Sequence, residues 1–329
     1  MAENNKIDFV ITWVDTQDEK WLASKNSFLS DDKKIDFSKA RYRNWDTLKY
    51  WFRSVELYAP WVNKIYFVTC GQKPEWLNEK HPKLALVNHE EFIDHNNLPT
   101  FNSCSIEVNM NKIPGLSEQF VYFNDDMFLN KSVKPEDFFK NGKPCDSAVL
   151  TPVNPSKDVA SCIYYNCMKV VNSHFDYKKY NKASLMKLKY GKYLLKNITL
   201  SNYPFNPGFR TSHLPCAYLK STYNELWDKE AELLNNVSSH KFRSEDDVSQ
   251  WLFQFWQLAK NICNLRKTSF GQYYSLGRDF ERIIKEIKQH HYKTICINDS
   301  DLIEKFESKK EILLQEFNKR YPNKSSFEK

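Results

Sequence analysis

The strongest constraint on the fold is a set of four short apolar runs separated by helical or polar segments. The runs are rich in β-branched and aromatic residues, a pattern that predicts buried strands. A helix is predicted between the first two runs, from Asp46 to Tyr58, because apolar residues recur there at helical spacing before Pro60. This alternation predicts an α/β fold with a mainly parallel central sheet and flanking helices. The runs occupy residues 7–14, 64–69, 83–88 and 120–123.

The remaining pattern predicts three parts. Residues 1–150 are expected to form the α/β core, and 210–329 a helical C-terminal part that completes the active site. Residues 151–209 are Asn-, Lys- and Tyr-rich with weak periodicity, which is typical of an inserted lobe or lid. Further helices are predicted over residues 103–112, 217–234, 247–261 and 301–321, and a late strand over 293–298.

Composition narrows the class of protein. The 329 residues can bury a sizeable core, and seven glycines and 13 prolines are ordinary for a globular chain. The sequence has no signal-like start and no apolar run long enough to span a bilayer, so we expect a cytoplasmic protein. The eight cysteines lack zinc-site spacing, and reduced, mostly buried thiols are expected.

The net charge of +7 favours an anionic partner but not nucleic acid, because basic residues are interleaved with 41 acidic ones along the chain. The richest basic stretch, Lys178 to Lys196, mixes Lys with Tyr and Leu. It is either a solvated helix or a basic amphipathic face for anionic lipid. We therefore expect peripheral association with the inner face of the membrane as an alternative to a freely cytoplasmic location.

Carboxylates follow two of the predicted strands. Asp125 and Asp126 come directly after the fourth apolar run, where paired carboxylates can hold a divalent cation against a diphosphate. The alternative is a turn followed by a helix cap, since Asn and Asp favour both. Asp15 follows the first strand and is predicted to lie at the same edge of the sheet. Two such strand ends together favour a ligand site.

Two polar loops offer further chemistry. His213 precedes a predicted helix, where an imidazole can accept a proton near neutral pH, although a lone histidine is commonly structural. Arg243 lies just ahead of an aromatic helix and is suited to clamp phosphate oxygens. Its neighbours Ser244 and Asp247 also resemble a capping box. The sequence has no Gly-rich phosphate loop, GxSxG elbow or HExxH helix, which excludes kinase, P-loop, lipase and zincin chemistry.

Four ordered blocks of the sequence resemble the Stealth family of sugar-phosphate transferases. They are "IDFVITWVD" at residues 7–15; residues 41–139, which include "FVYFNDDMFL"; "RTSHLPCAYLK" with "FRSEDDVSQWLFQFWQLA"; and "TICIND" with the terminal "FNKRYPNKSSFE". The resemblance implies a glycosyltransferase-A-like, Rossmann-like fold. It also implies Mg²⁺, or Mn²⁺ in its place, and attack of an acceptor hydroxyl at phosphorus.

The resemblance implies a UDP-sugar donor, a glycan acceptor and release of UMP; whether the acceptor is lipid-linked is left open by the sequence. Asp125 and Asp126 would hold the metal and diphosphate, with Asn298 or Asp299 assisting from the late strand. His213 would accept the acceptor proton, with Asp15 and Asp126 as alternatives. The residues implied for donor or phosphate contact are Arg243, Arg210, Arg53, Asn102 and Asp247.

The sequence leaves two other functions open. A conventional glycosyltransferase would use the same acidic motif but release UDP. A non-catalytic glycan-binding module would need neither a base nor a metal. The combination of Asp126, His213 and Arg243 favours an enzyme over the binding module.

Overall fold

The computed structural model describes residues 6–29, 43–154, 156 and 158–329. The sequence block that starts at Arg41 therefore begins two residues outside the described part. The chain is built around a five-stranded sheet whose strand order is β3-β2-β1-β4-β8. Its members are β1 (Ile7–Thr12), β2 (Ile65–Thr69), β3 (Leu84–Asn88), β4 (Gln119–Asn124) and β8 (Cys216–Leu219).

Four of these strands are parallel, and the edge strand β8 runs antiparallel to β4. Because β1 and β4 are adjacent and parallel, Thr12 lies opposite Asn124, and both strands end at the same edge of the sheet. The chain after each strand therefore emerges at one rim, where α/β folds bind ligands. The predicted α/β class with a mainly parallel sheet is confirmed.

Two smaller sheets flank this core. One has the order β10-β11-β5, and its strand β5 follows β4 after a two-residue turn. The other has the order β6-β7-β9. The strands are β5 (Met127–Leu129), β6 (Phe139–Lys140), β7 (Lys143–Asp146), β9 (Asn264–Leu265), β10 (Gly271–Ser275) and β11 (Thr294–Asn298).

The helices cover both faces of the central sheet. Trp51, Phe52 and Val55 of α2 are fully buried against one face, and Tyr50 stacks on Phe317 of the C-terminal helix α11 with ring centroids 5.1 Å apart. The helices are α1 (Glu19–Ser27), α2 (Leu48–Tyr58), α3 (Ser103–Glu107), α4 (Pro135–Phe138), α5 (Val159–His174), α6 (Tyr193–Leu200), α7 (Lys220–Lys229), α8 (Ala231–Ser239), α9 (Gln250–Ala259), α10 (Leu276–Gln289) and α11 (Phe306–Arg320). Within the described ranges, no helix is long and apolar enough to cross a membrane.

The structure differs from the predicted elements in several places. The helix predicted from residue 217 begins instead as β8, because Ala217 and Tyr218 pair with β4, and two helices, α7 and α8, follow. The helix predicted over residues 103–112 is α3 followed by a short 3-10 turn at Met110–Lys112. The pair β10 and α10 was not predicted.

Residues 151–209 pack against the same core as the rest of the chain. Ile163, Cys167 and Met168 of α5 are buried in the apolar cluster that also contains Phe120 and Tyr122 of β4. This contact places α5 beside α9. The lid function and the three-part division stay predictions.

Candidate active site

A cleft of about 760 Å³ opens at the carboxyl-terminal edge of the central sheet. Its volume lies within the usual range for small-molecule sites. The ends of β1, β4 and β11 form its floor, and the starts of α3 and α9 form part of its wall. The polar side chains that line it include Thr12, Arg43, Glu107, Tyr122, Asn124, Asp125, Asp126, His213, Arg243, Tyr273, Asn298 and Asp299.

Asp125 and Asp126 form the two-residue turn between β4 and β5. The turn is tied to β11, because the Ile297 amide donates to the Asp126 carbonyl over 2.8 Å. The Asp126 carboxylate is oriented from the same strand: its Oδ2 accepts from Asn298 Nδ2 at 2.9 Å and from the Cys296 thiol at 3.2 Å. Asn298 is itself fixed, since its Oδ1 accepts from the Tyr273 hydroxyl at 3.0 Å. The acidic turn is thus positioned by the second sheet.

His213 lies beside this turn. Its Nε2 is 3.4 Å from Asp126 Oδ2, and its ring meets Tyr273 edge-on. The residue adopts a left-handed backbone conformation with φ of 44°, which few residues other than Gly adopt, although His, like Asn and Asp, adopts it more often than most. Such backbone conformations cluster at functional sites. The loop before β8 therefore brings the imidazole into contact with the carboxylate.

The pKa values of the three groups are coupled. Asp125 is open to the cleft but lies deep among protein atoms, and this desolvation, followed by the neighbouring Asp126 charge, raises its pKa to about 7. Desolvation also opposes ionisation of Asp126, but His213 and the hydrogen bonds from Asn298 and Cys296 outweigh it and lower its pKa. Desolvation opposes the charging of His213, yet the Asp126 carboxylate prevails and raises the imidazole pKa. The Asp126 carboxylate therefore stabilises the imidazolium that His213 forms when it takes up a proton.

Arg243 supplies positive charge to the same cleft. Its side chain is exposed to the cleft, and its guanidinium donates to Ser103 Oγ at 2.6 Å, which leaves donors for an anion. The sequence predicted a helix from residue 247, close behind Arg243. The observed helix, α9, begins at Gln250, and Ser249 is its N-cap. The capping-box prediction for Ser244 and Asp247 is therefore wrong for α9; Asp247 closes a local turn instead.

Asn102 and Asp247 lie behind the cleft wall. Both are fully buried, and Asn102 Nδ2 donates to Asp247 Oδ2 at 2.9 Å. Asp247 also accepts from the Ser244 amide and contacts His240 Nδ1 at 2.7 Å. These bonds brace the loop that carries Arg243, so the two residues support the site and do not line it.

Three other predicted residues are also away from the cleft wall. Arg53 makes a two-pronged ion pair with Glu328 at 2.7 and 2.8 Å, and both side chains are almost fully buried. Arg210 lies over the Tyr193 ring and donates to Ser212. Asp15 accepts from the Gln17 amide in a tight turn. The expectation that Arg53 contacts phosphate therefore conflicts with its pairing to the C-terminal segment.

The site contains residues that the sequence did not indicate. Glu107 is buried beneath the cleft, where it accepts from the Tyr122 hydroxyl and the Gln250 amide, and desolvation raises its pKa. Trp251, predicted only as packing, lines the cleft, and its buried indole N–H has no partner among the described residues. No spacing rule marks Glu107, because α3 reaches the strand end only in the folded chain.

The acidic turn suits a hard divalent cation. Asp126 Oδ1 is buried and has no hydrogen-bond partner among the described residues, and the Asp125 carboxylate faces the cleft beside it. Mg²⁺ typically takes one or two carboxylates together with phosphate oxygens. Asp126, His213 and Cys296 also place one ligand atom each within 4.8 Å of one another. Asn298 was predicted to bind the metal, but its side-chain oxygen accepts from Tyr273 and its side-chain nitrogen donates to Asp126. It therefore orients the Asp126 carboxylate and is not itself positioned to bind the cation.

Comparison with known proteins identifies the family. Residues 5–32 match Stealth protein CR1, conserved region 1, and residues 41–146 match Stealth protein CR2, conserved region 2. The chain is 43% identical to the capsular polysaccharide phosphotransferase WcwK of Streptococcus pneumoniae over the whole of both chains. It is 40% identical to the receptor polysaccharide phosphotransferase WefC of Streptococcus oralis, over 98% of this chain and 99% of that one.

A solved structure, the apo WbbM bifunctional glycosyltransferase, matches 97% of this chain and 52% of that one, with 12% identity and a TM-score of 0.40. That score is low, and the assignment rests on the full-length sequence relatives. The chain belongs to the Stealth family.

Proposed function

We propose that this protein transfers hexose-1-phosphate or N-acetylhexosamine-1-phosphate from a UDP-sugar to a hydroxyl of a glycan acceptor. The products are a sugar phosphodiester and UMP, and the process is capsular or cell-surface polysaccharide biosynthesis. The pairing of His213 with Asp126 beside Asp125, in one cleft at the end of the sheet, is the observation that carries the proposal. The phosphotransferase names of the full-length relatives favour the same class of reaction.

The base in this proposal is His213. Its Nε2 faces Asp126, which leaves Nδ1 as the nitrogen available to the acceptor hydroxyl. Asp126 holds the ring orientation and stabilises the imidazolium that forms on proton transfer, as the carboxylate does in an Asp–His pair. The raised pKa of His213, in which the attraction of Asp126 overcomes desolvation, makes the imidazole a stronger proton acceptor. Asp15 is a weaker candidate because it does not line the cleft.

Phosphoryl transfer depends mainly on positioning and on cationic stabilisation of the charge around phosphorus. Arg243, which lines the same cleft as the acidic turn, can offer its free guanidinium donors to the transferred phosphoryl oxygens. Asp125 and Asp126 Oδ1 would hold the divalent cation. That cation, when bound, neutralises the diphosphate and the departing UMP.

The test is product analysis with purified protein, a panel of UDP-sugars, Mg²⁺ and an acceptor glycan. The proposal predicts UMP that appears only with acceptor and that His213→Ala and Asp126→Ala both abolish. His95→Ala serves as a matched control, because this histidine is exposed and does not line the cleft. Acceptor-dependent UDP would instead identify a conventional glycosyltransferase. Glycan binding without turnover of any donor would favour a binding module.

A further inference from the structure

Exposed apolar side chains are concentrated in one short segment. Of the eleven large apolar side chains that are exposed in the described part of the chain, six lie within residues 186–205. Leu188 is 87% exposed and Leu195 is 69% exposed, values that are costly for leucine in water. The six are Met186, Leu188, Leu195, Ile198, Tyr203 and Phe205. An apolar concentration of this kind marks an interaction surface.

The same segment carries the positive charge of the protein. Residues 177–224 contain eight Lys and one Arg and no Asp or Glu. Subtracting these nine charges from the net +7 leaves the remainder of the chain at −2. Basic and acidic residues are interleaved elsewhere in the chain, but not in this segment. Seven of the lysines lie within residues 178–196, and four of them stand among the exposed apolar residues: Lys187, Lys189, Lys192 and Lys196.

The local structure presents the apolar residues outward. The segment is not one amphipathic helix, since three short 3-10 turns precede α6. Asn197 fixes the inner side of α6, because its buried amide bonds to Ala148, Leu150 and Leu185. Leu195 and Ile198, three residues apart, share the opposite, exposed side. We define the docking surface as the exposed side chains of residues 186–205.

The docking surface adjoins the loop that carries the proposed base. Tyr193 of α6 lies under the Arg210 guanidinium at 4.8 Å, and Arg210 in turn donates to Ser212, the residue before His213. A partner seated on this surface would therefore lie beside one side of the cleft.

We propose that the docking surface binds the protein to an anionic lipid bilayer. Apolar side chains that enter the interface, surrounded by lysines that pair with anionic headgroups, form the pattern typical of interfacial membrane binding. The excess positive charge favours a negatively charged surface over a second copy of this chain, because two copies of the surface would bring like charges together. The proposal does not depend on the transferase activity.

The test is co-sedimentation of the full chain with vesicles of phosphatidylglycerol and phosphatidylcholine, compared with phosphatidylcholine alone. We expect binding to the anionic vesicles only. Binding should weaken as salt rises from 50 to 500 mM, because the Debye length, over which charges attract each other, shortens with ionic strength and is only about 3 Å at 1 M. Leu188→Ser/Leu195→Ser and Lys189→Gln/Lys192→Gln should each lower binding at least about tenfold. The matched controls, Leu57→Ser and Lys229→Gln/Lys285→Gln, change exposed residues elsewhere and should bind like the wild type.

Two results would overturn the proposal. One is equal binding of the surface variants and the controls, with native circular dichroism spectra for all. The other is a wild-type dimer in light scattering that the Leu188→Ser/Leu195→Ser variant converts to a monomer, since the surface would then bind a second copy. Because no sugar is present, neither result bears on the reaction.

Discussion

Nε2 of His213 lies 3.4 Å from Oδ2 of Asp126, and this contact joins a loop before the edge strand β8 to the turn after β4. Asn298 Nδ2 contacts the same carboxylate oxygen from β11 at 2.9 Å. Three separate parts of the chain thus converge on one oxygen.

Removal of the base should cost most of the rate without unfolding the protein. His213→Ala is expected to lower kcat by about 100-fold to 10,000-fold, the usual contribution of general base catalysis. Asp126→Ala should cost at least as much, because it removes both the partner of the imidazole and a cation ligand. Steady-state kinetics and thermal melts check this. A His213→Ala enzyme that keeps more than half of the wild-type kcat would exclude His213 as the base.

Arg243 should act on the transition state and not on folding, because its side chain is exposed in the cleft. Arg243→Ala is expected to lower kcat about 100-fold to 1,000-fold, as for loss of one stabilising donor. Arg243→Lys should recover only part of this, because lysine lacks the forked guanidinium. The matched control is Ser103→Ala, which removes only the hydrogen-bond partner of Arg243. It should lower kcat by less than about tenfold. A rise in KM with unchanged kcat would restrict Arg243 to substrate binding.

Cation binding should depend on the acidic turn and on the residue that orients it. Asp125→Asn and Asp126→Asn should weaken Mn²⁺ binding, measured by titration calorimetry in the presence of UDP. Asn298→Ala should weaken it by about 10-fold to 100-fold, because outer-shell partners typically contribute that much. Asp15→Asn should leave the affinity unchanged, since Asp15 does not line the cleft. Equal affinity in all four variants would place the cation elsewhere.

Arg53 should matter for stability and not for chemistry. Its ion pair with Glu328 is nearly buried, with side-chain exposures of 9% and 4%. Removing one partner leaves a buried charge, so Arg53→Ala and Glu328→Ala should each cost about 3 kcal/mol of unfolding free energy. Urea unfolding measures this, and kcat of the folded fraction should stay near that of the wild type. A stable Arg53→Ala enzyme with a large loss of kcat would restore the sequence-based role in phosphate binding.

His89 should make the fold sensitive to acid. Its imidazole is buried, and desolvation lowers its pKa to about 4, whereas the unfolded chain titrates near 6.5. Between these values the unfolded state binds the extra proton, so stability is complete above about pH 6.5 and falls as the pH drops towards 4. The loss should reach roughly 3 kcal/mol. The free energy of unfolding, measured in urea from pH 7 to 4.5, should fall further in the wild type than in His89→Gln. Equal pH dependence of the two proteins would contradict the role of His89.

The sequence was most informative where local patterns determine structure. The apolar runs located the four parallel strands, and the carboxylates after the fourth run were placed at the sheet edge because strand ends share that edge. His213 and Arg243 were also identified, and both line the cleft. Both residues lie in polar segments that can be recognised from the sequence alone.

The remainder depended on long-range contacts that no local pattern encodes. Arg53 resembled a phosphate ligand until its partner Glu328, 275 residues away, was known. Glu107 enters the site only because α3 packs against the end of the sheet. Asn102 and Asp247 were predicted to contact the substrate, but both are fully buried and bonded to each other behind the Arg243 loop. Pairing and burial, more than residue type, separated contact residues from supporting ones.

The most direct test of phosphoryl transfer follows the phosphate itself. A UDP-sugar labelled with ³²P in the β-phosphate is incubated with the enzyme, a divalent cation and the acceptor glycan. Transfer of sugar-1-phosphate predicts that the label enters the glycan in proportion to the UMP released, and that His213→Ala and Asp126→Ala abolish this incorporation. A glycan that gains the sugar without the label, while ³²P remains in UDP, would contradict the proposed reaction.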